Sequence, residues 1–315
     1  MATLSDMINE VSINLSGYTL QQDRATHITA DVAATASTIA TPIILSLAST
    51  DSVGKGIIEI DEELFWVDNY DRVGNTATIA PYGRAYLGTT LASHTAGTKV
   101  TIAPTFPRFV IKRAINDTIN AVGSSIFAAN KTTITSNLAT SAYRLPATGN
   151  SLNIRSILAV AYEAIGPSKE WIPVRNYRFD GNANSTAFTS EQTISIYDMI
   201  TSGRTIQVVY STDPSVFPEL ATPALTNAQV FETVSGLPAS CKDLIILGAT
   251  YRLLSNLDPA RASMVSPQAD ETDSKRPYGS SQSLTRQVYA LFTQRLTEEI
   301  KNQQDKYPIR VHYSL

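Results

Sequence analysis

The side chains that carry most enzyme chemistry are few in this chain and far apart. Its 315 residues include three histidines, His27, His94 and His312, and one cysteine, Cys241. No His-Glu-x-x-His, nucleophile-elbow or Cys-x-x-Cys pattern accompanies them. Cys241 begins an apolar helical stretch, where a small packed side chain is the usual role of a free cysteine. We therefore predict that the protein is not an enzyme and binds neither a cofactor nor a metal ion.

Four carboxylates crowd one short segment, at Glu59, Asp61, Glu62 and Glu63. Carboxylates this close together are able to bind a divalent cation. The calcium-loop pattern, in which Asp or Asn alternate before a Gly and a distant Glu, is absent. A solvated hairpin is the commoner arrangement for such a cluster, and we expect it here in preference to a metal site.

A glycine-punctuated segment follows at Tyr82–Val100. It contains Arg84, Gly88, His94 and Gly97, and it lacks the Gly-Lys-Ser/Thr sequence of a phosphate-binding loop. The pattern is typical of a compact loop folded onto the end of a β-barrel. Arg84 and His94 are expected to hydrogen-bond backbone carbonyls and so to fix that loop.

The composition is that of an ordered protein with a weakly acidic balance. Hydrophobic residues make up 43%, charged residues 17%, and the net charge is −3. A protein that grips nucleic acid through its phosphates needs an excess of basic residues, which is missing here. No apolar run approaches the length of a membrane span, and the N-terminus lacks the order of a secretion signal. We expect a protein made and used in a cytoplasm, or inside a particle assembled there.

Four segments have the three-and-four spacing of apolar residues that is typical of amphipathic helices. The last is roughly 27 residues, or ~40 Å, long, and carries Leu284, Val288 and Leu291. One small domain offers little core along such a length. We therefore expect these residues, together with Arg286 and Arg295, to contact a second copy of the chain. The four helices are predicted at residues 3–16, 106–128, 240–257 and 281–307.

Two regions between the helices are rich in Thr, Val and Ile, with short runs separated by turn residues. Their spacing of about ten residues predicts small antiparallel barrels or sandwiches. The candidate strands are Ile43–Leu47, Gly56–Ile60, Leu64–Asp68, Thr76–Ile79 and Lys99–Ile102 in the first region, and Ser151–Tyr162, Lys169–Tyr177, Thr193–Tyr197 and Thr205–Tyr210 in the second.

These elements together predict an α+β fold, in which a helical bundle core carries two inserted antiparallel β domains, each a small barrel or sandwich. The predicted boundaries are an N-terminal bundle helix at 1–19, a first β domain at 20–105, a bundle helix at 106–130, a second β domain at 131–225, a bundle helix at 226–258, a long polar loop at 259–280, a long C-terminal helix at 281–307 and an extended tail at 308–315.

Parts of this sequence resemble proteins of tailed bacteriophages. The segment Tyr82–Val100 resembles a β-module of virion and tail proteins, which has the order Gly-Arg-(Gly/Ala)…Gly-Thr…Ala…His…Gly…Val. The apolar helix within Gly236–Leu254 and the final helix, which ends in Lys306-Tyr307-Pro308, are similar to those of head-to-tail adaptor proteins, also called connector or neck proteins. The order of helices and β regions along the whole chain is similar to the same family.

The resemblance implies a structural protein of the virion neck that is assembled in the host cytoplasm. Such a protein forms a homo-oligomeric ring, typically a dodecamer, that docks beneath the portal protein and binds a tail or neck protein. The inserted β domains would face the capsid or tail components, and DNA would cross the channel during packaging and ejection without tight binding. The portal-binding tail would then comprise Ile309, Arg310, Val311, His312, Tyr313 and Leu315.

The alternative is a receptor- or carbohydrate-binding component of a fibre or baseplate. It rests on the β-rich regions and on their Trp and Tyr content, although the trimeric repeats usual in fibres are absent. The aromatic residues of the second β region are expected to fill a core in preference to forming a sugar platform. They are Trp171, Tyr177, Phe179 and Phe188. A cell-wall hydrolase is a third and weaker hypothesis.

Overall fold

A computed structural model describes residues 1–17, 23–34, 41–146, 154–167, 169–184, 186–188, 191–218, 223–255 and 280–308. The predicted portal-binding tail at 309–315 and the polar loop up to residue 279 lie outside the described residues. The chain divides into two compact units, and the domain boundaries inferred from the sequence stay a prediction. Unit 1 comprises Met1–Thr118, Phe217–Phe231 and Lys242–Thr293, and unit 2 comprises Ile119–Val216, Glu232–Cys241 and Gln294–Leu315.

Six α-helices occur in the described part of the chain. The first confirms its sequence signature, because Thr3 and Asp6 form a reciprocal capping box and its apolar stripe is buried. Among the described residues, no helix is both long and apolar enough to cross a membrane. The helices are α1 (Leu4–Ser16), α2 (Arg108–Val122), α3 (Pro223–Asn227), α4 (Phe231–Ser235), α5 (Lys242–Leu254) and α6 (Ser280–Lys306).

The first β region forms a six-stranded antiparallel sheet that closes on itself. Its strand order is β1-β6-β3-β4-β5-β2. Thr29 N–H donates to the Ser46 carbonyl (2.9 Å) and Ala48 N–H donates to the His27 carbonyl (3.0 Å), which joins the two outer strands. The sheet is therefore a small barrel without a free edge there. Its strands are β1 (Arg24–His27), β2 (Ile43–Ser46), β3 (Gly56–Ile60), β4 (Glu63–Asp71), β5 (Thr76–Ile79) and β6 (Lys99–Ile102).

The barrel encloses its own apolar core, formed by side chains that alternate inward along each strand. Phe65, Ile58 and Ile60 are fully buried at its centre. The other core residues are Ile28, Leu45, Leu47, Val53, Val67, Ala77, Ile79, Val100 and Ile102.

The second β region forms two further antiparallel sheets in unit 2. One has four strands in the order β10-β9-β13-β7, and the other has three in the order β11-β12-β8. Their shared core includes Ile194, Ile206 and Val208, with Tyr177 and Phe179 packed against it. The strands are β7 (Ala128–Thr135), β8 (Ala142–Arg144), β9 (Ile154–Glu163), β10 (Trp171–Pro173), β11 (Tyr177–Asp180), β12 (Thr193–Ile196) and β13 (Thr205–Thr212).

The predicted fold class, a helical bundle core with two inserted β domains, is wrong. The described chain is mostly β, with thirteen strands in three antiparallel sheets and six helices. The physical reason is that each β region buries a core of its own inside its sheets. Helical periodicity identified the amphipathic segments correctly, but an apolar stripe does not specify that other helices cover it.

Strand positions were predicted better than strand number. The bounds of Gly56–Ile60, Thr76–Ile79 and Lys99–Ile102 are confirmed. Strands β1, β7, β8 and β11 were not predicted as strands of their own, and the predicted Lys169–Tyr177 corresponds to β10 and reaches only the first residue of β11. Helix α2 ends at Val122 instead of continuing to residue 128. Most of β7 lies at the start of the predicted second β region, where no strand was predicted before Ser151, and only its first residue, Ala128, fell in the predicted helix.

Close helix packing in unit 1 depends on Gly248 in α5. A Cβ atom at this position would lie 2.3 Å from Thr118 Cγ2 and 2.9 Å from Phe292 Cε2. Thr118 is fully buried, and its hydroxyl donates to the Ala114 carbonyl at 2.7 Å. The methyl group of Thr118 therefore has little freedom to move aside.

We expect Gly248→Ala to lower the free energy of unfolding by about 1–2 kcal/mol. Overpacking costs about 1–3 kcal/mol, which exceeds the gain of about 1 kcal/mol from alanine's helix propensity. Urea denaturation measures the change. Gly54→Ala is the matched control, because a Cβ there meets no atom within 4 Å. Equal stability of the two variants would contradict this packing.

Candidate functional site

The acidic segment is buried, which corrects its interpretation as a solvated hairpin. Glu59, Glu62 and Glu63 are 3%, 9% and 1% exposed, whereas the side chain of Asp61 is 37% exposed. Buried carboxylates need partners, and the partners here come from positions distant in the sequence. They are Arg84 and His94 in the loop, and Arg108 and Lys112 in α2.

A buried ion pair between Glu63 and Arg84 lies at the centre of this arrangement. Arg84 Nε and Nη2 donate to the two Glu63 carboxylate oxygens at 3.0 and 2.9 Å, and both side chains are fully buried. This two-point geometry is the strongest that an arginine makes with a carboxylate. Arg84 also donates to the carbonyls of Ala33 and Ala92, each at 2.6 Å. Its predicted role in fixing the loop through backbone carbonyls is confirmed.

His94 bridges two carboxylates, not the backbone carbonyls that the sequence suggested. Its Nδ1 lies 2.8 Å from Asp61 Oδ2 and its Nε2 lies 2.9 Å from Glu63 Oε2. An ionised carboxylate only accepts hydrogen bonds, so both ring nitrogens must donate and the ring is an imidazolium. Burial by itself lowers the pKa of His94, but the hydrogen bonds to Asp61 and Glu63 outweigh it and raise the pKa above 6.5.

The cluster of Asp61, Glu63, Arg84 and His94, hereafter the ion cluster, carries two negative and two positive charges. Glu63 also accepts the backbone N–H groups of Ala85 (3.1 Å) and Ala92 (3.0 Å). Burial raises the pKa of Glu63, but the hydrogen bonds from His94, Arg84 and Ala92 reverse this effect and hold it below 4.5. The cluster is therefore neutral overall and satisfies its buried charges internally.

The loop held by the ion cluster has an unusual backbone. Gly88 and Gly97 have φ of +79° and +89°, values that glycine adopts without strain. Tyr82, Ala85 and Leu87 also have positive φ, at 59°, 49° and 55°. Such non-glycine residues persist where surrounding contacts determine the conformation, and here the ion cluster provides those contacts.

The same loop presents large apolar side chains on the outside of the barrel. Tyr82 is 70% exposed, Leu87 is 66% exposed and Trp66 of β4 is 38% exposed. The rings of Trp66 and Tyr86 contact each other, with centroids 5.3 Å apart. These four residues are hereafter the barrel patch, an apolar surface on a fixed backbone.

A second group of buried charges connects the barrel to the start of α2. Glu59 accepts the backbone N–H of Arg108, and Lys112 lies 3.3 Å from the Glu62 carboxylate. Burial raises the pKa of Glu59 to about 7, although the hydrogen bond from Arg108 N–H opposes the change. A carboxylate at this position satisfies amides that an α-helix leaves unpaired at its N-terminus.

The predicted subunit-interface residues of α6 differ in their exposure. Val288 and the neighbouring Phe292 are 7% and 8% exposed, whereas Leu284 and Leu291 are 36% and 48% exposed. Leu284 and Leu291 lie seven residues apart, so they share one side of the helix, hereafter the helix ridge. Of the predicted arginines, Arg286 is exposed, and Arg295 donates to Glu298, Glu299 and the Ser240 carbonyl.

Two further side chains that the sequence singled out, Cys241 and Trp171, differ in their exposure. Cys241 is fully buried, and burial together with the Glu299 carboxylate raises its pKa to about 12, so its thiolate is suppressed. Within the described ranges, no group of three or more His, Cys, Asp or Glu is arranged to hold a metal ion. Trp171 is 45% exposed on β10, so its predicted place in a core is wrong.

No protein-family profile matches the chain, and no curated protein sequence is significantly similar to it.

We expect Arg84→Lys to destabilise the barrel by about 3 kcal/mol, because one ammonium group cannot replace the planar guanidinium and leaves buried acceptors unsatisfied. Unfolding is followed by Trp66 fluorescence in a Trp171→Phe background, which leaves Trp66 as the sole tryptophan. Arg72→Lys, at an exposed position of the same barrel, is the control. Equal unfolding midpoints for the two variants would refute the assignment.

The ion cluster also predicts how stability depends on pH. Because the pKa of His94 is raised, the stability that this residue contributes to the fold is fully present below about pH 6.5. It is lost as the pH rises through the raised pKa. Because the pKa of Glu63 is lowered, the stability that this residue contributes to the fold is present above about pH 4.5. It is lost as the pH falls through the lowered pKa. The contribution of the ion cluster to stability should therefore be greatest between these two transitions.

We expect His94→Gln to lower the free energy of unfolding by about 2–3 kcal/mol near pH 6, because a buried charge is left uncompensated. This loss of stability should become smaller as the pH becomes alkaline. Chemical denaturation across this pH range measures the difference from the natural chain. His27→Gln, at an exposed strand position, controls for loss of a histidine. A cost for His94→Gln that stays constant with pH would contradict the imidazolium assignment.

Proposed function

We propose that this protein is a structural component of a tailed-bacteriophage neck, in which copies form a ring that joins the portal to the tail and surrounds the DNA channel. The observation that carries the proposal is the helix ridge. Leu284 and Leu291 are exposed on a 27-residue helix that buries Val288 and Phe292 in its own chain. Large apolar side chains along one side of a long helix favour contact with another protein.

A ring of identical copies is the simplest way to cover this ridge. Copies related by rotation about one axis repeat the same contact without adding a different protein. The weakly acidic net charge of −3 suits a channel through which DNA moves without being held. The resemblance of Tyr82–Val100 to a phage virion module supports the same assignment, and we propose no catalytic activity.

Electron microscopy tests the proposal most simply. The full-length chain, mixed with the portal protein of the same phage, should give annular particles stacked on the portal ring. Deleting Ile309–Leu315 should abolish portal binding while leaving the thermal unfolding of the chain unchanged. Purified protein that forms no annular particle with or without portal would overturn the proposal.

The exposure of Trp171 and Ile172, at 45% and 38%, favours the alternative of a receptor- or carbohydrate-binding virion component. An exposed aromatic ring on a rigid strand is a platform on which a sugar stacks. Binding of the full-length chain to host cells or glycans, lost on Trp171→Ala, would favour this alternative over the neck ring.

We expect Leu291→Glu to prevent ring formation without unfolding the chain, because a charge at this exposed position is hydrated in the monomer and buried in the assembly. Analytical ultracentrifugation measures the association constant between copies, which should fall at least tenfold if burial of the charge costs about 1.4 kcal/mol or more. Thr293→Glu adds the same charge at an exposed position on the opposite side of the same helix and should assemble normally. Rings formed equally by both variants would exclude the helix ridge as the contact.

A further inference from the structure

Strand β7 forms one edge of the four-stranded sheet in unit 2. Within the described part of the chain it pairs with β13 alone, along all eight of its residues. Its second edge therefore carries backbone N–H and C=O groups to which the described strands offer no partner. An edge of this length is a template for a further strand, and folded proteins usually cover or interrupt it.

The two ends of β7 show which residues turn their backbone groups toward that edge. Ser136 follows the strand, and its N–H donates to the Arg204 carbonyl beside β13 at 2.7 Å. Phe127 precedes the strand, and its N–H and C=O bond the Gln303 side chain at 3.1 and 2.6 Å instead of β13. Successive residues of a strand alternate in this respect, and the register of β7 with β13 is continuous. The outward backbone groups therefore belong to Ala129, Lys131, Thr133 and Thr135, whose N–H groups are hereafter the outward amides.

Helix α6 ends at the start of this edge. The Gln303 side chain occupies the backbone groups of Phe127, and the rings of Tyr307 and Phe127 contact each other with centroids 6.0 Å apart. The seven residues that follow Pro308, 309–315, are hereafter the tail, and they begin beside the first outward groups of β7. Seven extended residues span about 23–25 Å, and a strand of eight spans about 27 Å. The tail is therefore long enough to follow most of β7.

The sequence of the tail suits a strand at this edge. Its apolar and polar side chains alternate, which is typical of a strand with one buried face. The apolar face would extend the core of unit 2, against which Ile134 of β7 packs. The polar face would point to solvent, as Lys131 and Thr133 do. The apolar residues are Ile309, Val311, Tyr313 and Leu315, and the polar residues are Arg310, His312 and Ser314.

Attachment favours the chain's own tail over any other strand as the occupant. A segment tethered beside its binding edge has an effective concentration of about 1 mM or more, which exceeds that of a separate copy in dilute solution. The tail starts beside Phe127 and must run toward Thr135 to follow β7, so the two strands are parallel. A seven-residue edge strand opens at low free energy, so it detaches before the chain unfolds.

We propose that the outer edge of β7 binds the tail of the same chain as a parallel strand. The outward amides donate to tail carbonyls, and the tail becomes a further strand of the sheet beside β7. The edge is thereby covered in the free protein, which removes a site for pairing with other chains. The tail is also the proposed portal-binding segment, so its release from β7 on portal binding rests on the proposed function.

Amide hydrogen exchange, followed by NMR on the full-length chain, tests the pairing. The outward amides should exchange at least tenfold more slowly than in a chain that ends at Pro308, because the tail shields them from water. The amides of Asn130 and Ile134 face β13 and are internal controls, which should exchange alike in both chains. Equal exchange of the outward amides in the two chains would overturn the proposal.

A pair of tail variants tests whether the tail is held as a strand with one buried face. Val311→Asp places a charge on the apolar face and should return the outward amides to the fast exchange of the shortened chain. Ser314→Asp is the matched control, because it adds the same charge on the polar face and should leave exchange slow. Both variants behaving alike would contradict the alternation on which the pairing rests.

Protein concentration identifies whose tail occupies the edge. Pairing within one chain does not depend on concentration, so the outward amides should exchange slowly even where analytical ultracentrifugation shows a monomer. Slow exchange that develops only as copies associate would assign the edge to a neighbouring copy and overturn the proposal.

Adding the portal protein separates this inference from the proposed function. The outward amides should return to fast exchange in the portal complex, since the tail cannot bind both partners at once. Exchange that stays slow there would leave the β7 pairing standing and reject the tail as the portal-binding segment. Equal exchange in the free full-length and shortened chains, together with annular particles, would reject the β7 pairing and leave the neck ring standing.

Discussion

The buried pairing of Glu63 with Arg84 is the interaction on which the barrel and its loop depend. Both side chains are fully removed from water, so each charge is acceptable only while the other is present. Arg84 also donates to the carbonyls of Ala33 and Ala92, and His94 adds a second positive charge against Glu63 and Asp61. One neutral cluster thus ties the β3–β4 hairpin, the loop and the segment before β2 together.

This constraint explains why the loop keeps a conformation that its residues do not favour. Tyr82, Ala85 and Leu87 are held at positive φ by groups packed beneath them, while Tyr82 and Leu87 point their side chains into solvent. Arg84 and His94 of the loop are buried and hydrogen-bonded, whereas Tyr82 and Leu87 are exposed.

Much of the local structure was predictable from the sequence, because it depends on residues close together in the chain. The Thr3–Asp6 capping box and strands such as Gly56–Ile60 are of this kind. The importance of Arg84 and of Gly88 and Gly97 was also apparent, since an arginine among glycines marks a fixed turn. The fold class was not predictable in this way, because periodicity identifies an apolar face without identifying what covers it.

The burial of the acidic segment was missed for a related reason. Glu63 meets Arg84 and His94 across 21 and 31 residues, and Glu62 meets Lys112 across 50. Local sequence shows four neighbouring carboxylates and none of their partners, so the solvated hairpin was the natural expectation. Only the three-dimensional arrangement shows that opposite charges converge on the segment.

The charge state of His94 tests this account most directly. ¹⁵N NMR of the histidine side chains reports whether each ring nitrogen carries a proton. The account predicts that both nitrogens of His94 are protonated at neutral pH and that its titration lies above that of a solvent-exposed histidine. A neutral ring with a single protonated nitrogen at neutral pH would contradict it, because one carboxylate would then face an unprotonated ring nitrogen.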